Sequence, residues 1–163
     1  MVKRYAFCKT SVGAPACAGS IEDTLSEIRT GRYIVFGGSG CLNREIAHGR
    51  VMVPTEAYRD EGTSYHYAPP ADYIPVRNAD RRETENNFRK RRAEGCISVE
   101  MECAALQAVC DFRGLELYMF LTSGDLLDAP AWCTRHEEGE LAGTQHDVRH
   151  FDIALALAGA VTA

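Results

Sequence analysis

The stretch Ser98-Val99-Glu100-Met101-Glu102-Cys103-Ala104-Ala105-Leu106 constrains the fold of this chain more than any other. Cys96, Ile97 and Val99 are apolar and partly β-branched, which suits a buried strand. From Met101 onward, Met101, Ala104, Ala105, Val109, Cys110 and Phe112 fall near helical spacing. The sequence therefore passes from strand to helix within a few residues, and the joint carries two carboxylates, Glu100 and Glu102, around a methionine. A carboxylate at that place is favoured by the exposed N–H groups of a helix start. It can also accept two hydrogen bonds at once, as a sugar cis-diol would offer. The plainer reading is a capped helix with two solvated acids.

The same alternation runs through the rest of the chain. Residues 2–8 read as a strand. Gly13-Ala14-Pro15 is a turn with proline near a helix start. A helix over 16–29 follows, with Ile21, Leu25 and Ile28 on one face, and Gly31 ends it. Residues 33–36 predict a short buried strand, with Gly37-Gly38-Ser39-Gly40 as a loop at its carboxyl end. Such a loop brings backbone N–H groups close to an anion. Residues 50–54 read as a strand, 78–93 as a charged helix, and 115–122 as a very apolar strand. Ser123-Gly124-Asp125 stands at the carboxyl end of that last strand. A closing helix over 146–161 places Val148, Phe151, Ala154, Leu155 and Ala158 on one face. Strand, helix, strand and glycine tract in this order predict an α/β fold: a three-layer α/β/α sandwich around a central mixed sheet.

Size and charge narrow the function. The 163 residues are 45% hydrophobic and 25% charged, which suits one globular domain with a core of its own. A net charge of −5 argues against a general nucleic-acid surface, and Arg89-Lys90-Arg91-Arg92 reads as a solvated helix face. No apolar run reaches membrane-spanning length, and Lys9 interrupts the short patch near the start, so no membrane partner and a cytoplasmic location are expected. The seven scattered cysteines suit reduced, buried thiols. Cys103 and Cys110 would stand roughly 10 Å apart along a helix rising ~1.5 Å per residue, too far to share one zinc at ~2.3 Å. Cys133-x2-His136 with His146-x3-His150 matches no common finger spacing, so no metal is expected.

The wording Val99-Glu100-Met101-Glu102-Cys103-Ala104-Ala105-Leu106 resembles the Glu-Met-Glu signature of the nucleoside phosphorylase family, the bacterial-type purine and uridine phosphorylases. Three more stretches match in the family's order. Gly13-Ala14-Pro15 with a helix, then 34–42, resembles its phosphate-loop half. The segment 59–70, containing Gly62-Thr63-Ser64-Tyr65-His66-Tyr67, is similar to a loop of uridine-phosphorylase-like members. Ser123-Gly124-Asp125 resembles the family's Ser-Asp. The resemblance implies that Glu102, with Glu100 beside it, holds the ribose hydroxyls and that Met101 packs on the sugar. It implies that Asp125, next to Gly124, protonates the departing base, and that Gly37, Gly38 and Ser39 hold phosphate. His66 is a secondary candidate for a catalytic base. Two positions depart from the family: Val35 stands where many members have arginine, and Gly38 where many have serine or threonine. Both of those side chains normally meet phosphate. Compared with fuller members, the 1–163 domain lacks an N-terminal portion and an internal segment near 76–79.

Ligands of open α/β sheets sit beyond the carboxyl ends of the strands, where all three motifs fall. An anion cradle, a diol acceptor and a titratable acid together suit N-glycosidic cleavage. The base leaves carrying charge that an acid must meet, and the sugar turns cationic beside carboxylates and an anionic nucleophile. The expected activity is phosphorolysis of a purine or pyrimidine nucleoside to free base and ribose 1-phosphate. Inorganic phosphate is then the co-substrate, no cofactor is needed, and a homo-oligomer is expected, a dimer or a trimer of dimers. The alternatives are a hydrolytic nucleosidase of the same superfamily and a non-catalytic nucleoside-binding or oligomer-forming remnant. Asp125 points to purines and the 62–70 loop to uridine.

Overall fold

The computed structural model describes residues 4–74, 85–127 and 144–161. Its centre is a parallel pair of long strands, β1 (Arg32–Cys41) and β6 (Glu116–Leu126), in register from Arg32 beside Glu116 to Ser39 beside Ser123. Two short strands complete the sheet. β2 (Val51–Met52) runs antiparallel to β6, and β5 (Ser98–Val99) runs antiparallel to the end of β1, giving the order β2-β6-β1-β5. A separate hairpin pairs β3 (Ala57–Tyr58) with β4 (Tyr73–Ile74).

Helices cover both faces. Pleating sends alternate side chains to opposite sides of a strand. Leu117, Met119 and Leu121 of β6, with Tyr33 and Val35 of β1, meet the core formed with α1 (Ala14–Glu27) and α4 (Cys103–Arg113). On the other face Phe36 and Phe120 stack at 5.4 Å, and His150 of α5 (Thr144–Val161) meets both rings at 6.3 Å. The α/β/α layering and the mixed sheet are those expected from the sequence. Two smaller helices, α2 (Arg44–Ala47) and α3 (Glu85–Ala93), lie in the connections.

Local signals set the helix ends. Pro15 opens α1, whose buried residues Ala14, Cys17, Ala18 and Ile21 repeat at helical spacing. α4 stops at Gly114, which is left-handed at φ 67° and donates its N–H to the carbonyls of Asp111 and Cys110. Arg113 of α4 then grips Glu22 of α1 at 2.9 Å.

Three expectations are corrected. Of the strand expected over 2–8, the described residues 4–8 carry no regular structure; Phe7 instead lays its ring 6.3 Å from Phe36. Gly37-Gly38-Ser39-Gly40 is not a loop but the second half of β1. β6 pairs with β1 through Ser39, and that ladder outweighs the turn preference of the glycines. Likewise Ser123-Gly124-Asp125 lies inside β6 rather than after it. The internal shortening expected near 76–79 falls outside the described residues.

Gly31 accepts the N–H of Glu116 at 2.8 Å. The odd residues of β1 therefore turn their backbone groups to β6, and the even ones, Ile34, Phe36 and Gly38, turn them to the opposite edge. Among the described residues, β5 alone pairs with that edge, at Gly40 and Cys41.

Candidate active site

β1 is flanked at its carboxyl end by the two other motif-bearing segments. On one side Val99 pairs with Gly40, and one step further the chain enters the Glu100-Met101-Glu102 turn. On the other side Ser123 pairs with Ser39, but the next pair is Cys41 with Leu126. Two steps along β1 thus match three along β6, and the surplus forms a bulge at Gly124 and Asp125. A bulge bends its strand and re-aims a side chain, which is why bulges recur beside active sites. The glycine is needed there. A Cβ on Gly124 would stand 3.2 Å from the Ser39 carbonyl oxygen, tighter than an ordinary contact. Asp125 is half-buried in this bulge.

The two glutamates have separate fates. Glu100 is 3% exposed. Its carboxylate accepts the N–H of Glu102 at 2.7 Å and that of Cys103 at 2.9 and 3.1 Å, so it caps α4 from one turn upstream. These are donors that a helix start leaves unmatched. Glu100, expected beside the sugar, therefore faces inward. Glu102 is half-buried at the mouth of the turn, with Met101 40% exposed beside it. Its Oε1 accepts the N–H of Gly13 at 2.5 Å and its Oε2 that of Met101 at 3.2 Å. The starts of α1 and α4 thus meet at one carboxylate.

Cys17, one turn into α1, looks onto the same place. Its thiol donates to the Ser11 carbonyl at 3.4 Å and lies 3.1 Å from Thr10 Oγ1. Burial pushes this thiol up; the Thr10 bond draws it back in part, and the charges of Glu102 and then Glu100 push it further up. Cys17 is thus a protonated, neutral wall beside the carboxylates.

The segment expected to hold phosphate differs from a loop cradle. The backbone groups of Gly37 and Ser39 turn toward β6, where Gly37 also accepts the Thr122 hydroxyl at 3.4 Å. Gly38 is exposed, with its backbone groups on the other edge of β1. Ser39 is 6% exposed, and its hydroxyl donates to the Thr122 carbonyl at 3.4 Å. Val35 packs against the apolar core. The neighbour of Ser39 across the strands, the buried Ser123, has a hydroxyl with no hydrogen-bond partner among the described residues.

His66 lies exposed on a 3-10 turn, Ser64–His66, whose neighbourhood is locked by Arg59. The Arg59 guanidinium donates to Ser64 Oγ at 2.9 Å and to the Pro69 carbonyl at 2.5 Å. Glu61 accepts the N–H of Ser64 at 3.0 Å. No group of three or more metal-ligating side chains occurs among the described residues, and Cys133 and His136 lie outside them. Sequence reasoning missed Gly13 and Ser123 as members of the site. The tract Gly13-Ala14-Pro15 was visible as a turn, but nothing in its wording points to Glu102.

No family model matches the chain. Among curated proteins it is 30% identical over 71 residues to uridine phosphorylase of Haemophilus influenzae, which is 44% of this chain and 27% of that one. It is 38% identical over 60 residues to uridine phosphorylase of Treponema pallidum, 37% of this chain and 23% of that one. The matched stretches thus span about a quarter of each relative. Among solved structures, AMP nucleosidase from Bacteroides thetaiotaomicron superposes with a TM-score of 0.59 at 24% identity, over 70% of this chain and 61% of the other. The chain shares the fold of that nucleosidase. It is thus similar in part of its sequence to uridine phosphorylases and in its fold to a nucleosidase. Among the described residues no helix is long and apolar enough to cross a membrane.

Proposed function

We propose that this chain cleaves the N-glycosidic bond of a nucleoside, with inorganic phosphate as the nucleophile. The observation that carries the reading is the meeting of Glu102, Ser39 and the Gly124–Asp125 bulge around the carboxyl end of one strand. Glu102 accepts hydrogen bonds from the ribose 2′ and 3′ hydroxyls, and Met101 covers the sugar. Phosphate, held on the Gly37-Gly38-Ser39 tract through the Gly38 backbone on its open edge, attacks C1′. The bond from C1′ to the base nitrogen breaks, and its electron pair stays with the base. Asp125 delivers a proton to that base, leaving ribose 1-phosphate. As positive charge grows on the sugar, the carboxylates of Glu102 and the buried Glu100 stabilise it. The bulge withdraws Asp125 from full solvent.

A second reading, hydrolysis with water as the nucleophile, is favoured by Val35 and Gly38. The valine lies against the core and the glycine offers no side chain, so neither supplies the cation or hydroxyl that phosphate would meet. The test is product analysis on a panel of purine and pyrimidine nucleosides, with and without phosphate. Ribose 1-phosphate formed only when phosphate is present supports phosphorolysis. Free ribose at equal rates in both arms supports hydrolysis, and no product on any nucleoside sinks both.

A further inference from the structure

We infer that Gly13 is a positioning residue for Glu102: its N–H fixes the carboxylate that faces the ribose. This rests on the ribose reading given above. The contact joins residues 89 positions apart at 2.5 Å, with the donor immediately before α1 and the acceptor immediately before α4. A glutamate side chain has three rotatable bonds and holds one geometry only if something restrains its end. Here Gly13 restrains Oε1 and Met101 restrains Oε2. Each carboxylate oxygen offers about two acceptor directions, so one on each stays open for a hydroxyl. Two adjacent hydroxyls of one sugar can then be met by two oxygens already locked in plane.

The backbone at Gly13 is built for this contact. Its φ of 107° and ψ of 146° lie in a region essentially reserved for glycine. A Cβ at Gly13 would meet nothing within 4 Å, so the position does not require glycine for lack of space. The requirement is conformational: another residue would rotate the backbone and swing the N–H away from Glu102. Cys17, whose N–H bonds to the Gly13 carbonyl at 3.1 Å, ties the same residue into the first turn of α1. The aim of the diol acceptor is therefore set by the first helix, far away in the chain.

The experiment measures binding of uridine and of 2′,3′-dideoxyuridine, which lacks both hydroxyls, to wild type, Gly13→Ala, Glu102→Ala and the double variant. Gly13→Ala is expected to weaken uridine about 10- to 100-fold, the scale of a charged hydrogen bond, and to leave dideoxyuridine within about twofold. The double variant should bind uridine no more weakly than Glu102→Ala alone, because both changes act through one carboxylate. Equal losses for the two ligands, or additive losses in the double variant, overturn the inference about Gly13 alone. Absence of binding of both uridine and adenosine by wild type overturns the ribose reading and the inference with it; where adenosine alone binds, the same comparison is made with adenosine and 2′,3′-dideoxyadenosine. If Gly13→Ala does not fold, replacing Gly13 by glycolate through ligation at Cys17 removes the N–H without adding a Cβ, and the same outcomes apply. Amide NMR checks the contact without ligand: Glu102→Gln should move the Gly13 resonance, and an unmoved resonance also overturns the inference.

Discussion

The carboxylate of Glu100 accepts the N–H of Cys103 through both oxygens, at 2.9 and 3.1 Å, while Glu102 two residues later reaches across to another helix. The two acids of one short motif thus have different partners, and the proposed reading gives Glu100 mainly a part in stability and Glu102 one in binding. Glu100→Ala is expected to lower the unfolding free energy by about 1–3 kcal/mol, because it strands buried helix N–H groups. Glu102→Ala should cost less stability and more nucleoside affinity. Urea unfolding and nucleoside binding on both variants decide it; equal stability losses would refute the division.

Asp125→Asn keeps the shape of the bulge but cannot deliver a proton. On a purine nucleoside kcat should fall about 10²- to 10⁴-fold with little change in KM. A nucleoside whose base leaves readily without protonation should be cleaved almost as fast as by wild type. Parallel steady-state kinetics on the two substrates provide the check, and an equal fall on both removes Asp125 as the acid.

Cys110 gives a pH prediction. Burial, with a smaller push from the charge of Asp111, raises its thiol from an ordinary 9.0 to about 12. An acid with a raised folded pKa leaves the unfolded chain with fewer protons once pH passes the lower value. The stability it contributes is therefore complete below pH 9 and lost as pH climbs toward 12, at up to about 1.4 kcal/mol per pH unit. Unfolding curves from pH 8 to 11 should steepen their decline above 9 in wild type and decline less in Cys110→Ala. Identical slopes would show that this thiol does not titrate on unfolding.

Oligomerisation is the fourth prediction. The even-numbered backbone groups of β1 line an edge that β5 covers only at Gly40 and Cys41 among the described residues. Phe7 and Phe112 are exposed besides. Open edges and apolar patches seek partners. Light scattering at high concentration should report at least a dimer; a monodisperse monomer would contradict this.

The layered fold was legible because periodicity marks elements that bury one face. The apolar runs around β6 and α4 and the stripe of α1 all stand within a few residues of their expected places. Boundaries set by distant partners were not legible. The glycine tract reads as a loop until β6 is laid beside it, and residues 2–8 read as a strand although those of them that are described, 4–8, are not in strand conformation. In the site, the Glu-Met-Glu wording located the turn but could not say which acid faces inward. That depends on the turn's backbone and on Gly13, 89 residues upstream of Glu102.

The pairing of β1 with β6 also governs the order in which the molecule can assemble. Arg32 and Glu116 stand side by side in the sheet although 84 residues separate them in the chain, so the central ladder is a contact of very long range. Such pairings form late and slowly, because a large loop must close before any ladder bond rewards it. During synthesis α1, β1 and α4 all emerge before β6. Until then β1 is a ten-residue strand with no long neighbour, and the face shared by α1 and α4 has no sheet to cover it. A chain interrupted anywhere before Glu116 exposes both surfaces together, which makes the nascent protein a natural client for chaperones.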